Sequence, residues 1–154
     1  MTEYGDEIAK VLTHLKDKGV TALIHQLLQK VDLFEGISEF VLVPIPSSPT
    51  NYKKRGFSHT LLLAKKLARM NTRVRVVNLL TSSKNRTDQT QLGFTERKKN
   101  LAGACRLKKG FKPELPVILV DDIYTTGATS QEAARVLAEA GFTVLGCAVV
   151  ALVF

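Results

Sequence analysis

Apolar residues recur at helical spacing twice near the start of the chain. Ile8, Val11, Leu12 and Leu15 fall at i, i+3, i+4 and i+7, and after Gly19 the stripe resumes with Val20, Leu23, Ile24, Leu27, Leu28 and Val31. Each stripe predicts an amphipathic helix, and together they make a leading helical segment over residues 1–35. The pattern then changes: FVLVPIP, an apolar run from Phe40, meets prolines at Pro44 and Pro46. That predicts a buried strand leading directly into a loop. Residues 47–56 are polar and basic and are read as that loop. Leu61, Leu62, Ala64, Leu67 and Ala68 support a helix reaching about Met70, and Val74, Val76, Val77, Leu79 and Leu80 make a second strand.

Residues 81–93 show no apolar period and give no reason to fold alone. A short helix is predicted from Thr95, an N-cap residue, to Gly103. Val117, Ile118, Leu119 and Val120 form an apolar strand that is expected to stop at Asp121 and Asp122. A helix over residues 128–140 is closed by Gly141, and residues 144–153 make the last strand. Strands alternating with helices predict an α/β fold, a central, mostly parallel sheet flanked by helices. With 154 residues and no internal repeat or linker, one domain over residues 1–154 is expected.

Composition narrows the class. The chain is 45% hydrophobic and 23% charged, ordinary values for a globular protein. No apolar run approaches the roughly 20 residues that span a bilayer. The opening MTEYGDEIAK has acids where a secretory signal carries bases. A cytoplasmic address without a membrane partner is therefore expected. Cys105 and Cys147 belong to no C-x-x-C pair, so they are read as buried structural thiols. Charge is uneven: residues 51–112 hold 17 of the 22 Lys and Arg against two of the 14 acids, a net +15, which leaves −7 elsewhere. A basic middle between acidic flanks implies an anionic partner, whether nucleic acid, a polyphosphate ligand or an acidic protein.

The strongest chemical signal is VILVDDIYTTGAT, residues 117–129. In a parallel α/β sheet it places Asp121 and Asp122 at the carboxyl end of a strand, where ligands bind. The TTGAT that follows lies between strand and helix, where backbone N–H groups and the positive end of the helix dipole favour an anion. Gly127 permits a tight turn, and three threonine hydroxyls add donors. A phosphate at the turn beside two carboxylates suits a ligand with both phosphate and vicinal hydroxyls, as in ribose 5-phosphate. A Walker B element would need G-x-x-x-x-G-K-[ST], which the chain lacks. A receiver-type acidic pocket would need carboxylates from the early strand, which instead ends Pro-Ile-Pro. A capped turn with no ligand is the plainer alternative.

The segment resembles the phosphoribosyl pyrophosphate signature of type I phosphoribosyltransferases. Two further blocks, VPIPSSPTNYKKRGFSHTLLLAKKLA and QTQLGFTERKKNLAGA, precede it in the order found in the ComF family of competence proteins. The resemblance implies that Asp121 and Asp122 meet the ribose hydroxyls, directly or through Mg²⁺, and that Tyr124, Thr125, Thr126, Gly127, Ala128 and Thr129 wrap the 5-phosphate. It places the pyrophosphate loop at Ile45, Pro46 and Ser47, with Lys53, Lys54 and Arg55 nearby. Residues 84–100 correspond to the family's flexible loop, whose contact residues would be Arg86, Gln89, Arg97 and Asn100. Arg86 and Arg97 join the two aspartates as catalytic candidates. Solvated-face readings stand beside these for Lys53, Lys54, Arg97, Lys98 and Lys99. His59 is read as a helix-start surface residue, and His14 and His25 are given no role.

The chain also departs from the family. Members commonly open with a four-cysteine zinc module, of which no trace is present, and continue Asn-Gln after R-G-F where this chain has Ser58 and His59. The sequence ends directly after its last predicted strand, so a hood that selects a nucleobase is not expected. Two functions follow from the resemblance. One is transfer of the phosphoribosyl group, with Mg²⁺, to an acceptor that the sequence does not name. The other is a non-catalytic module for phosphoribosyl pyrophosphate or single-stranded DNA in DNA uptake, working with competence machinery proteins. The leading amphipathic stripes offer an interface for a homodimer.

Overall fold

The computed structural model describes residues 39–70, 74–83 and 103–152; the two predicted leading helices, residues 84–93 of the predicted polar loop and the predicted short helix before Gly103 lie outside the described residues. Six strands and three helices are described. They are β1 (Val41–Pro44), α1 (Pro49–Arg55), α2 (His59–Met70), β2 (Arg75–Val76), β3 (Leu80–Ser82), β4 (Cys105–Leu107), β5 (Val117–Tyr124), α3 (Ala128–Glu139) and β6 (Val144–Leu152).

Four strands form one parallel sheet in the order β2-β1-β5-β6, and β3 pairs with β4 in a separate antiparallel ribbon. Alternation along the strands divides the core in two. Phe40, Leu42, Ile118 and Val120 face α2, meeting Leu63, Ala64 and Leu67. Val41, Val43, Val117 and Leu119 face the other way, onto Ala133 and Leu137 of α3 and onto Leu79, Leu80 and Cys105 of the ribbon. The central strands are apolar on both sides because both sides are covered. A bulge puts Leu145 between the pairs Val117–Val144 and Ile118–Gly146, and leaves it 48% exposed.

Helix ends follow local chemistry. Pro49 begins α1 in the first-turn position where its missing N–H costs nothing, and Gly56 at φ 76 ends it. Ser58 caps α2: its hydroxyl accepts the Leu61 N–H at 3.4 Å and its carbonyl accepts the Leu62 N–H at 3.1 Å. At the end of α3, Gly141 at φ 86 donates to the Ala138 carbonyl (2.9 Å) and Phe142 to the Leu137 carbonyl (3.0 Å). This is a Schellman arrangement, with Phe142 packed in the same cluster as Leu137.

Four expectations need correction. The predicted loop over residues 47–56 contains α1. The single strand expected over residues 74–80 is two, β2 in the parallel sheet and β3 in the ribbon, because the chain crosses between sheets at residues 77–79. β4 was not anticipated, since three residues reading Cys-Arg-Leu carry no usable period. Finally, β5 does not stop at Asp121: it continues to Tyr124, because β6 supplies partners through the Tyr124–Leu152 pair.

Candidate functional site at the switch point of the sheet

After β1 the chain moves outward to β2, and the later strands β5 and β6 are added on the opposite side of β1. The order therefore reverses between β1 and β5, and the crevice beyond their carboxyl ends is where open α/β sheets bind ligands. The two segments leaving that point are residues 45–47 and 121–127. They start from paired positions, Pro44 opposite Val120.

Ile45 is fixed from both directions. Its N–H donates to the Val120 carbonyl at 2.9 Å, and its carbonyl accepts the hydroxyl of buried Thr60 at 2.6 Å. Ser58 Oγ lies 3.0 Å from Thr60 Oγ1, so the first turn of α2 is bound to the end of β1. Ile45 is buried, and Pro46 and Ser47 are half-buried. Arg55 closes α1; its Nε is buried and makes no hydrogen bond among the described residues. Lys53 is exposed on the same helix. His59 is partly buried, its ring 4.7 Å from that of Phe57, and is not the plain surface residue expected.

Asp121 and Asp122 are half-buried in β5 beyond the apolar core. Asp121 Oδ1 accepts the Asp122 N–H and Asp122 Oδ1 accepts the Ile123 N–H, each at 2.9 Å. These bonds orient both carboxylates along their own strand. Asp121 shares a face of the sheet with Cys147: burial, and then the charge of Asp121, push that thiol up to about 12. Cys105 is also buried. Burial therefore holds the Cys147 thiol protonated and unreactive.

The turn after β5 encloses about 30 Å³, lined by Asp121 and residues 123–130 and open to solvent. Gly127 precedes α3 at φ 70, and no side chain caps the helix. Thr126 Oγ1 lies 3.4 Å from the Ala128 N–H, a weak bond. Buried Ser130 donates its hydroxyl to the Gly127 carbonyl at 2.9 Å. The phenol of Tyr124 folds back over Gly127 so closely that a β-carbon there would overlap its hydroxyl. The opening turn of α3 thus presents backbone donors and three threonines beside two acids, an arrangement suited to an anion that also carries hydroxyl groups.

Arg86, Gln89, Arg97 and Asn100 lie outside the described residues, as do the side chain of Lys54, His14 and His25. Three residues at the site were not singled out from sequence. Thr60 and Ser130 had the ordinary signal of hydroxyl residues in a first helical turn. Glu132 carried no signal in the sequence, yet it is buried: it accepts the Gly103 N–H at 2.6 Å and two donors of Arg135 at 2.8 and 2.9 Å. Its bonds to Arg135 hold its pKa below the usual carboxylate range despite burial.

Known proteins resemble the chain over much of its length. The chain is 32% identical over 148 residues to competence protein ComFC of Bacillus subtilis, a match covering 90% of the chain and 56% of that protein. It is 34% identical to ComFC of Streptococcus pneumoniae, over 67% of the chain and 44% of the relative. The chain is a homologue of the ComF competence proteins. It spans about half the length of these relatives. No family model matches. Among solved structures it resembles the allosteric regulatory enzyme of purine biosynthesis (TM-score 0.52, 20% identity, 83% of this chain and 24% of that one). It also resembles adenine phosphoribosyltransferase from Rhodothermus marinus (TM-score 0.50, 21% identity, 88% and 68%). The fold of this ComF homologue is that of the type I phosphoribosyltransferases.

Proposed function

We propose that this protein binds phosphoribosyl pyrophosphate with Mg²⁺ at the switch point and transfers the phosphoribosyl group to an acceptor. The observation that carries the reading is the placement of an uncapped helix start, at Gly127, beside two half-buried carboxylates and directly across from the segment that follows β1. In this reading the 125–129 turn is a phosphate turn. Its N–H groups and the α3 dipole receive the 5-phosphate, while Asp121 and Asp122 accept hydrogen bonds from the ribose hydroxyls. The segment Ile45–Ser47 and Arg55, whose buried Nε has a donor to give, favour the departing pyrophosphate across the crevice.

Breaking the bond between the anomeric carbon and pyrophosphate oxygen builds positive charge on the sugar and negative charge on the leaving group. The acceptor then forms its bond from the opposite face. Little covalent work falls to the protein, so positioning and electrostatic stabilisation dominate. The described residues contain no cluster of three metal-binding side chains. Two aspartates nevertheless suit Mg²⁺, which is commonly held by one or two carboxylates together with ligand phosphates and water. The ion would supply positive charge to the pyrophosphate.

The names of the curated relatives, competence proteins and not transferases, favour a second reading. In it the same site binds phosphoribosyl pyrophosphate without turnover, or the basic chain binds single-stranded DNA, as part of DNA uptake. Pyrophosphate release, measured with Mg²⁺ and phosphoribosyl pyrophosphate across a panel of bases, amines and single-stranded DNA, separates the two. Acceptor-dependent release is expected for the transferase. Tight donor binding without release against any acceptor would leave the binding module.

A further inference from the structure

Tyr124 ends β5 and lines the same cavity as the 125–129 turn. Its phenol fills the place that a side chain at residue 127 would take: a β-carbon built on Gly127 would overlap Oη and Cζ and stand 3.0 Å from Cε2. Gly127 is buried beneath the phenol, although Thr125 is exposed. A glycine in a phosphate-binding turn serves by what it lacks, because the missing β-carbon lets the anion come up against the backbone. Here a phenol stands in that space.

The room that remains is small. About 30 Å³ is open in the turn, enough for about two waters at roughly 10–15 Å³ each, and a phosphate group is larger than that. The backbone offers little give. The Gly127 carbonyl accepts the Gln131 N–H at 2.8 Å and the Ser130 hydroxyl at 2.9 Å, and Tyr124 is paired with Leu152 of β6. The part that can move is the phenol, which turns about side-chain single bonds.

We propose that Tyr124 is a lid on the phosphate turn: its phenol covers Gly127 in the unliganded chain and swings out when a phosphate takes its place. The proposal rests on the reading of that turn as the site of the 5-phosphate. A site whose open form is only partly populated binds more weakly in proportion. Removing the lid therefore tightens binding. A hydroxyl that served as a phosphate contact would behave in the opposite way, and its loss would weaken binding.

Ribose 5-phosphate with Mg²⁺ is titrated by calorimetry into the wild type, Tyr124→Ala and Tyr124→Phe. Tyr124→Ala, which removes the cover, is expected to bind about tenfold more tightly, as for a lid closed in about nine molecules of ten. Tyr124→Phe keeps a ring over Gly127 and should lose no more than about threefold in affinity. Unchanged or weaker binding by Tyr124→Ala overturns the lid, and a larger loss in Tyr124→Phe overturns it in favour of a hydroxyl contact. In wild type labelled with fluorotyrosine, the fluorine signal of Tyr124, assigned by its absence from Tyr124→Phe, should move towards that of a solvated tyrosine as ribose 5-phosphate saturates. A signal that stays in place overturns the lid even if Tyr124→Ala does not fold. If none of the three proteins binds ribose 5-phosphate, the phosphate turn itself is overturned and the lid with it, whereas the other contrary results overturn the lid alone.

Discussion

At Gly127 the backbone sits at φ 70, and a β-carbon there would overlap the ring of Tyr124. The left-handed conformation strains any other residue, and a β-carbon would also have to displace the Tyr124 side chain. Gly127→Ala should destabilise by about 1–3 kcal/mol in urea unfolding and also lose donor binding. Gly56, at φ 76 with nothing within 4 Å of a β-carbon, makes the control: its Ala variant should lose about 1 kcal/mol and keep binding. Glu132 gives a prediction in pH. Its pKa is lowered in the fold, chiefly by Arg135, so its contribution is present above the unfolded value and disappears as pH falls through the lower folded value. The penalty of Glu132→Gln should be larger at pH 7 than at pH 3, and an equal penalty at both would contradict the assignment. Cys147, raised to about 12, should alkylate slowly at pH 8 in the folded chain and rapidly in denaturant. The special role of Gly127 was legible, because glycine inside TTGAT has few other reasons to be there. Glu132 was not, because a charged residue among helix-forming neighbours reads as solvated until the fold brings Gly103 to it.

Elements place these residues, and here the join between α2 and β1 can be tested. Thr60→Val retains shape but removes the hydroxyl that reaches the Ile45 carbonyl. It should cost about 1–3 kcal/mol for the buried acceptor left unmet. A change below about 0.5 kcal/mol in denaturant unfolding would mean that the bond does not hold the crevice. The long apolar strand and the helices α2 and α3 were legible because length and apolar spacing agree. α1, β3 and β4 were not. Each is set by something a single window cannot contain: a proline start inside a polar stretch, a chain crossing between sheets, and a partner strand more than twenty residues away. The extent of β5 was misjudged for a related reason. Two aspartates look like the end of a strand, yet β6 extends the ladder past them.

For the molecule as a whole, the parallel sheet was foreseeable from alternating strands and helices, but its order was not, because pairing between β1 and β5 leaves no local mark. That order turns two separate motifs, Pro-Ile-Pro-Ser and Asp-Asp-Ile-Tyr-Thr-Thr-Gly, into the two walls of one crevice. The central claim is that the Asp121 and Asp122 side of this crevice receives the sugar of phosphoribosyl pyrophosphate. Calorimetric titration of that ligand with Mg²⁺, into the wild type and into the double variant Asp121→Asn, Asp122→Asn, tests it most directly. Saturable binding is predicted for the wild type. With two hydrogen bonds to charged groups at about 1.5–3 kcal/mol each, a loss of at least about 100-fold is predicted for the double variant, with its unfolding transition retained. Equal affinity in the two proteins would contradict the account.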